Sequence, residues 1–224
     1  MSFYKYVVAL IIYFVLAGFP GRASQEAFKE RTVTVKVVID QYFVRNFNEI
    51  KTKEPVALAR LSAASPEDFA KSIFERLSVR FRQFGIRFLP VAVENIFVKE
   101  RVMLDAEYMR ILEQSSCQSA EIIVGLTGVA FISTSPGDDG FVVVVGGANR
   151  QTGRLFSQFA SWGIVANPKL DIENMFDSLD HEMRHLFGTS HKDEGVLDIA
   201  EEKIFLQEGT LAIKKNRLRK FICD

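Results

Sequence analysis

Two periodicities of apolar residues divide the chain into predicted strands and helices. Residues 32–39, TVTVKVVI, alternate apolar and polar side chains for most of their length, and this period of two predicts a half-buried β-strand. Residues 120–128, AEIIVGLTG, are nearly all apolar, which predicts a strand covered on both faces. The run FVVVVGG, residues 141–147, predicts another strand, which we expect Gly146 and Gly147 to break.

Apolar residues with helical spacing predict a helix over residues 65–85, SPEDFAKSIFERLSVRFRQFG. Ser65 is a favourable N-terminal cap, Pro66 suits the first turn, and Gly85 suits the stop. The apolar residues fall on one stripe, Phe69, Ile73, Leu77, Phe81 and Phe84. A second, shorter helix is predicted over residues 105–116, and the residues between the first strand and Ser65 are expected to form a polar loop.

The order of these segments predicts the fold class. Residues 86–98, IRFLPVAVENIFV, predict one strand or two, with Pro90 as a break. The sequence GDDG, residues 137–140, predicts a plain turn rather than a calcium loop, because the ligand number and spacing are insufficient. The order of strand, helix, three strands and a further helix towards the C-terminus predicts an α/β layered domain, without internal repeats.

The N-terminus has the pattern of an export signal. Residues 6–21 carry no charge and are mostly apolar, and PGRASQ follows them. This stretch is shorter than the ~20 residues that span a bilayer, so we predict a signal peptide over residues 1–23, cleaved after Ala23. The alternative is an uncleaved membrane anchor, because Arg22 fits the cleavage pattern poorly. The mature protein would then be secreted or extracytoplasmic, without stable membrane association if the signal is cleaved.

Charge and cysteine content restrict the partners. The chain has 28 Lys plus Arg and 28 Asp plus Glu, and residues 1–23 contain two basic and no acidic residues, which leaves 26 against 28. Nothing in this balance indicates nucleic acid. The basic tail KKNRLRK, residues 214–220, is interpreted as the solvated face of a helix rather than a partner-binding patch. Cys117 and Cys223 form either one disulfide or two free thiols, and they lack metal-ligand spacing.

All three histidines of the chain lie in HEMRHLFGTSH, residues 181–191. We predict a helix from Asp171, as its cap, to Gly188. At about 100° per residue, His181 and His185 point away from its apolar stripe and reach one ion together. The stripe comprises Ile172, Met175, Phe176, Leu179, Met183 and Leu186. A left-handed Gly188 can turn the chain so that His191 supplies a third nitrogen.

Three protein ligands leave a fourth position for water, as in a catalytic zinc site. Zinc lowers the pKa of its water towards ~7 and polarises a carbonyl. Glu182, beside the first histidine, is placed to take a proton from that water as general base and to deliver it to a leaving amine. The motif therefore predicts one catalytic Zn²⁺ held by His181, His185 and His191.

The pattern HExxHxxGxxH resembles the zinc-binding signature of the metzincin clan of metalloproteases. The segments AEIIVGLTG and GVLDI are similar to those of archaemetzincin-like and other small metzincins. The resemblance implies a zincin fold, with a mixed twisted sheet, a backing helix and an active-site helix. It implies one peptidase domain over residues 24–224, with an upper subdomain over about 30–190 and a small lower subdomain over about 191–224.

The sequence departs from the clan pattern at two places. Leu197, in GVLDI, stands where metzincins place the methionine of a tight turn below the metal, and no tyrosine follows Tyr108 to serve as an additional ligand or oxyanion donor. Leucine has a volume similar to that of methionine, so we expect a preserved turn with altered packing. Asp193 either accepts a hydrogen bond from a ligand imidazole or caps the following turn.

The resemblance implies a zinc metalloendopeptidase that binds a peptide or protein substrate as an added antiparallel strand, and the predicted signal peptide implies that it is secreted. Residues 141–147 are the candidate sheet edge, and the alternative is an internal strand that contacts no substrate. A second hypothesis is a catalytically degenerate, zinc-binding protein that acts as a binding module. Leu197 motivates it, and the presence of Glu182 argues against it.

Overall fold

The computed structural model describes residues 30–53, 55–134, 141–144, 146–159, 168–189, 209–221 and 223. Its strands are β1 (Arg31–Asp40), β2 (Ile86–Ile96), β3 (Val102–Leu104), β4 (Ile122–Thr127), β5 (Ala130–Thr134), β6 (Phe141–Val144), β7 (Gly146–Asn149) and β8 (Arg154–Gln158). Its helices are α1 (Gln41–Lys53), α2 (Pro55–Arg60), α3 (Pro66–Phe81), α4 (Asp105–Gln114), α5 (Pro168–Leu186) and α6 (209–216).

Two sheets carry these strands. The larger sheet has the order β2-β1-β4-β8-β7, in which β2, β1, β4 and β8 are parallel and β7 is antiparallel to β8. The smaller sheet has the order β3-β5-β6, with one parallel and one antiparallel pair. The predicted α/β class with a mixed sheet is confirmed.

Successive side chains of a strand point to opposite faces of the sheet, and the larger sheet has a buried core on each face. Val33, Val35, Val37 and Ile39 of β1 pack in one core with residues of α1, α3 and α5. Val38, on the opposite face, packs in a second core with residues of α4 and β5. All six residues of β4, in the middle of the sheet, are buried, as its apolar sequence predicts.

The helix predicted over residues 65–85 is confirmed. The Ser65 hydroxyl accepts a hydrogen bond from the backbone N–H of Asp68 at 3.0 Å, and α3 passes into a short 3₁₀ turn that ends at Gly85 with φ +68°. The five residues of its apolar stripe are buried. The strand at 32–39 and the helix at 105–116 are confirmed as β1 and α4.

The expectation of a polar loop before Ser65 is wrong, because the helices α1 and α2 occupy most of the residues between β1 and Ser65. Asp40 begins α1: its Oδ1 accepts from the backbone N–H groups of Tyr42 and Phe43 at 2.9 and 2.8 Å. Phe43 and Phe47 lie one turn apart and are buried together against Phe69. Ile50, on the same helix, is buried in the same core, and burial of this apolar stripe stabilises the helix.

Two strand expectations also need correction. Pro90 does not break the strand, because β2 runs without interruption from Ile86 to Ile96. This strand lies at the sheet edge and shifts register against β1 at the proline, with Val35 pairing with Pro90 and Lys36 with Ala92. A bulged edge strand tolerates the missing N–H of proline. Gly146 does not break a strand but begins β7, whereas the preceding β6 belongs to the other sheet.

The C-terminal residues return to the sheet and are fixed there. Cys117 and Cys223 form a disulfide, with Cα atoms 5.8 Å apart. The helix α6, residues 209–216, includes only the first three residues of the basic tail 214–220. Lys214, Lys215 and Lys220 are exposed. No helix in the ranges described above has the length and apolar character needed to cross a membrane. The predicted signal peptide and the GDDG turn lie outside those ranges.

Candidate metal centre

The long helix α5 carries the candidate site on the side opposite its core face. It begins at Pro168, a residue suited to a first helical turn, so the prediction that Asp171 caps it is wrong. Its six stripe residues, Ile172, Met175, Phe176, Leu179, Met183 and Leu186, are buried as predicted. The helix packs on β7 and β8, and this packing fixes its rotation about its own axis.

Charged side chains hold the same helix against α3. Asp180 and Arg184, one turn apart on α5, are both buried and paired at 3.2 Å. Arg80 of α3 contacts the same Asp180 carboxylate, also at 3.2 Å. The guanidinium of Arg80 also lies over the ring of Phe176, with 4.2 Å between the Arg80 Cζ atom and the ring centroid. Sequence reasoning did not single out Asp180 and Arg184, although their i, i+4 spacing is a signal for such a pair.

The helix ends in a Schellman motif, which turns the chain sharply after Leu186. The N–H of Gly188 donates to the carbonyl of His185 at 2.9 Å, and the N–H of Thr189 donates to the carbonyl of Arg184 at 3.2 Å. Gly188 has φ +98°, a left-handed conformation that a side chain would strain. The predicted role of Gly188 as a left-handed helix stop is confirmed.

The two histidines of α5 are brought together. His181 Nε2 and His185 Nε2 lie 3.1 Å apart, and the rings are nearly perpendicular, with 4.8 Å between centroids. Two nitrogens that each lie about 2.0–2.1 Å from a tetrahedral zinc ion are about 3.3 Å apart. The observed separation therefore fits a shared ion.

The turn after α5 also determines the tautomer of His185. Its Nδ1 lies 2.8 Å from the carbonyl oxygen of Thr189. A carbonyl only accepts, so Nδ1 carries the proton and donates it, and the neutral ring keeps its lone pair on Nε2. The nitrogen that faces His181 thus carries the lone pair with which a histidine binds a metal, and a backbone carbonyl that accepts from the other ring nitrogen is common among metal-ligating histidines.

Glu182 is buried beside the histidines, and the glycine at the start of β7 makes room for it. A Cβ on Gly146 would lie 2.7 Å from Glu182 Cγ and 2.8 Å from Ser178 Oγ. The sheet edge therefore approaches α5 as closely as only glycine permits. Burial raises the pKa of the Glu182 carboxyl to about 8.

The remaining predicted site residues, His191, Asp193 and Leu197, lie outside the described residues. Within the part that is described, no group of three His, Cys, Asp or Glu side chains is placed to hold a metal ion. Of the predicted set, the structure brings His181 and His185 into contact and buries Glu182, which follows His181 on the same helix. Sequence reasoning missed Thr189 and the close approach of Gly146, because each depends on the folded chain path.

Comparison with solved structures shows that the fold of the chain is similar to a known one. Archaemetzincin from Methanopyrus kandleri superposes with a TM-score of 0.51 and 15% sequence identity, over 90% of this chain and 100% of that chain. The fold is similar to that of archaemetzincin. At this identity, the archaemetzincin similarity concerns the fold alone.

Two further structures match less well. Archaemetzincin from Archaeoglobus fulgidus, complexed with malonate, gives a TM-score of 0.37 at 14% identity, over 73% of this chain and 82% of that chain. A chaperone–substrate complex gives 0.41 at 12% identity, over 74% of this chain and 27% of that chain. No protein-family model and no curated protein matches the sequence.

Proposed function

We propose that the protein is a zinc-dependent metallopeptidase that hydrolyses peptide bonds with Glu182 as general base. The observation that carries this proposal is the pair of imidazole Nε2 atoms 3.1 Å apart, one of them with its tautomer set by a backbone carbonyl, beside a buried carboxylate. The archaemetzincin-like fold supports the same class of enzyme.

His181 and His185 would hold the ion through Nε2, and His191, from the sequence motif, is the proposed third ligand. When bound, zinc would polarise the scissile carbonyl and make a water molecule acidic at neutral pH. The chemistry of the donors suits it, since imidazole nitrogens are common zinc ligands. Glu182 follows His181 directly on the helix and would not ligate.

Glu182 would move the proton of the reaction. Without a metal, burial raises the pKa of its carboxyl to about 8, and a bound cation beside it would favour the ionised form. The carboxylate would then accept a proton from the water whose oxygen adds to the carbonyl carbon of the substrate. When the C–N bond breaks, Glu182 passes that proton to the leaving amine nitrogen, and the products are a carboxylate and an amine. The narrow space between Gly146 and α5 restrains the side chain that makes both transfers.

The substrate would lie along β7 as an added antiparallel strand. In the described part of the chain β7 pairs only with β8, at the end of the larger sheet. Its first residue, Gly146, contacts the side chain of Glu182. A peptide on this edge would pass over the candidate site and would be held by backbone hydrogen bonds. The proposed edge is thus shorter than the predicted 141–147, since residues 141–144 pair with β5.

The replacement Glu182→Gln tests the proposal. It keeps the size of the side chain but removes the proton acceptor, so cleavage of a quenched peptide library and of an unfolded protein should fall at least ~100-fold, with about one zinc still bound per chain. Asp177→Asn is the matched control, because this carboxylate lies on an exposed part of the same helix and its loss should leave cleavage unchanged. A chelator should abolish cleavage by the wild type.

The alternative of a degenerate binding module rests on Leu197, which stands where the metzincin pattern has a methionine. Bound zinc without cleavage of any substrate, in the wild type as well as in Glu182→Gln, would favour this alternative. Leu197→Met would then be the next variant to assay. Equal cleavage by the wild type and by Glu182→Gln would contradict the proposal that the protein is a peptidase with Glu182 as general base.

We also propose that the protein works outside the cytoplasm. The Cys117–Cys223 disulfide supports an oxidising compartment, in line with the export signal predicted over residues 1–23. N-terminal sequencing of the protein recovered from a secreting host should begin at Ser24. An intact N-terminus in the membrane fraction would favour an uncleaved anchor instead.

A further inference from the structure

The last turn of α5 receives a hydrogen bond from a distant part of the chain. The two hydrogen bonds of the Schellman motif satisfy the carbonyls of Arg184 and His185 but do not include the carbonyl of Phe187. The side-chain amide of Asn216, on α6, donates to that carbonyl at 2.8 Å. A residue 29 positions later therefore completes the helix end that carries His185.

The same amide is packed against the backbone at the turn. A Cβ on Gly188 would lie 2.9 Å from Asn216 Nδ2 and 2.9 Å from the guanidinium carbon of Arg150. Arg150 follows β7 directly, and its carbonyl accepts from Arg219 at 3.1 Å. The glycine turn thus lies between α6 on one side and the end of the substrate-edge strand on the other.

The segment that carries Asn216 is fixed to the body of the protein. Ile213 is fully buried in the main core, and the ring of Phe221 packs edge-on against Phe187, with 5.4 Å between centroids. Beyond Phe221, Cys223 is bonded to Cys117. The amide of Asn216 is therefore held in place from both sides of its position in the sequence.

We propose that Asn216 is a positioning residue for the metal centre; this inference rests on the proposed function. By fixing the carbonyl of Phe187, it fixes the turn through Gly188 and hence the direction of the Thr189 carbonyl. That carbonyl holds the Nδ1 proton of His185 and leaves its Nε2 lone pair directed at His181. Asn216 acts through the turn, by way of the carbonyl of Phe187.

The tautomer of His185 in the zinc-free protein tests this chain of contacts directly. The chain contains only three histidines, so a protein labelled with ¹⁵N-histidine gives few ring signals, and His185→Gln assigns the relevant pair. In the wild type the Nδ1–H form of His185 should dominate. Asn216→Leu keeps the shape of the side chain without its donor, and we expect it to raise the Nε2–H fraction and to weaken zinc binding about tenfold.

Two variants separate positioning from general stability. Asn216→Gln retains the donor on a longer side chain and should restore the wild-type tautomer and at least half of the lost zinc affinity, on a logarithmic scale. Lys215→Ala, at the neighbouring exposed position, should change neither. Melting temperature is recorded for each variant, because a purely structural Asn216 would lower it without moving the tautomer.

A wild-type tautomer and zinc affinity in Asn216→Leu would overturn the proposal, and so would equal losses in Asn216→Gln and Asn216→Leu. Because these readouts need no substrate, they remain decisive whether or not the protein cleaves peptides. Absence of peptidase activity would remove the proposed reaction while leaving the positioning of His185 supported.

Discussion

Single buried residues determine both the frame and the candidate site of this protein. Asp40 joins β1 to α1, and its carboxylate also accepts from the hydroxyl of Thr127 and from the N–H of Gly128. Desolvation raises the pKa of this carboxyl, and the hydrogen bonds offset only part of that effect. The ionised form of Asp40 is therefore less favourable in the fold than in the unfolded chain.

This shift gives a pH-dependent prediction for Asp40→Asn. The native state binds the proton more tightly than the unfolded chain, so the stabilisation from Asp40 is fully present below the ordinary pKa of 3.8. This stabilisation is lost as the pH rises from 3.8 through the raised pKa of Asp40 in the native state. Asn does not titrate and loses hydrogen-bond partners, so the variant should be less stable by about 1–3 kcal/mol at pH 4 and by less at pH 7.

Urea unfolding of both proteins at pH 4, 5, 6 and 7 measures this difference. Other ionisable groups are common to the two proteins, so their contributions cancel to first order in the comparison. A difference in the free energy of unfolding that grows with pH would contradict the assigned direction of the shift.

Gly146 gives a second prediction at the scale of one residue. An alanine methyl would displace Glu182, whose Cγ lies 2.7 Å from the ideal Cβ position, so Gly146→Ala should lower kcat/KM at least tenfold with zinc content unchanged. Misplacement of a catalytic group by about 1 Å costs up to ~100-fold. Gly147→Ala is the matched control, since its Cβ would meet the ring of Phe156 at 2.8 Å instead.

Peptidase assays and zinc analysis of the two alanine variants are compared with the wild type. Equal losses of activity in both would indicate a general disturbance of β7 and would refute a specific effect on Glu182. A large loss in Gly146→Ala alone is the expected result.

At the scale of elements, predictability depends on where the stabilising contacts lie. The helix α3 was predictable because its cap Ser65, its stop Gly85 and its apolar stripe all belong to one stretch of sequence. The helix α1 was not, because its cap, Asp40, is the last residue of a strand, and its burial depends on Phe69 of another helix. The only local indication of this helix was the spacing of Phe43 and Phe47, which lie four residues, or one helical turn, apart.

The candidate site divides in the same way. His181, Glu182 and His185 share one helix, so helix geometry alone predicts that the two imidazoles meet. The split of 141–149 into strands of two different sheets depends on pairing with β5 and β8. Local sequence does not specify such distant pairing. The contact of Asn216 with Phe187 also joins residues that are distant in sequence, so local patterns do not predict it either.

The end of α5 supports a prediction about Gly188. Its φ of +98° and the 2.9 Å approach of Asn216 and Arg150 leave no space for a methyl group. Gly188→Ala should cost about 1–3 kcal/mol of unfolding free energy and should weaken zinc binding, because the turn carries the Thr189 carbonyl. Gly153→Ala, also left-handed at φ +66°, should cost similar stability without weakening zinc binding.

Thermal unfolding and competition with a chromophoric zinc chelator measure the two effects separately. If Gly153→Ala weakened zinc binding as much as Gly188→Ala, the loss would reflect stability alone. The helix end would then have no separate influence on the metal centre.

At the scale of the whole molecule, the disulfide closes the chain on itself. Cys117 precedes β4, in the middle of the larger sheet, and Cys223 lies at the C-terminal end of the described chain, 106 positions later. Between them the chain forms the strands of the smaller sheet that follow β4, the edge β7 and the helix α5. The bridge therefore joins the two ends of the part that contains the candidate site.

Replacing both cysteines, Cys117→Ser with Cys223→Ser, should lower the free energy of unfolding by about 3–5 kcal/mol, because a loop of this length gains much conformational entropy when it is opened. The loss should fall first on α6, whose anchor Ile213 and neighbour Phe221 are held near α5. Amide hydrogen exchange should thus show earlier opening of residues 209–221 than of β1 and β4. Wild type reduced with a phosphine that does not bind zinc is the matched control and should unfold like the double variant. A double variant as stable as the oxidised wild type, with unchanged exchange in α6, would show that packing alone holds the C-terminal segment.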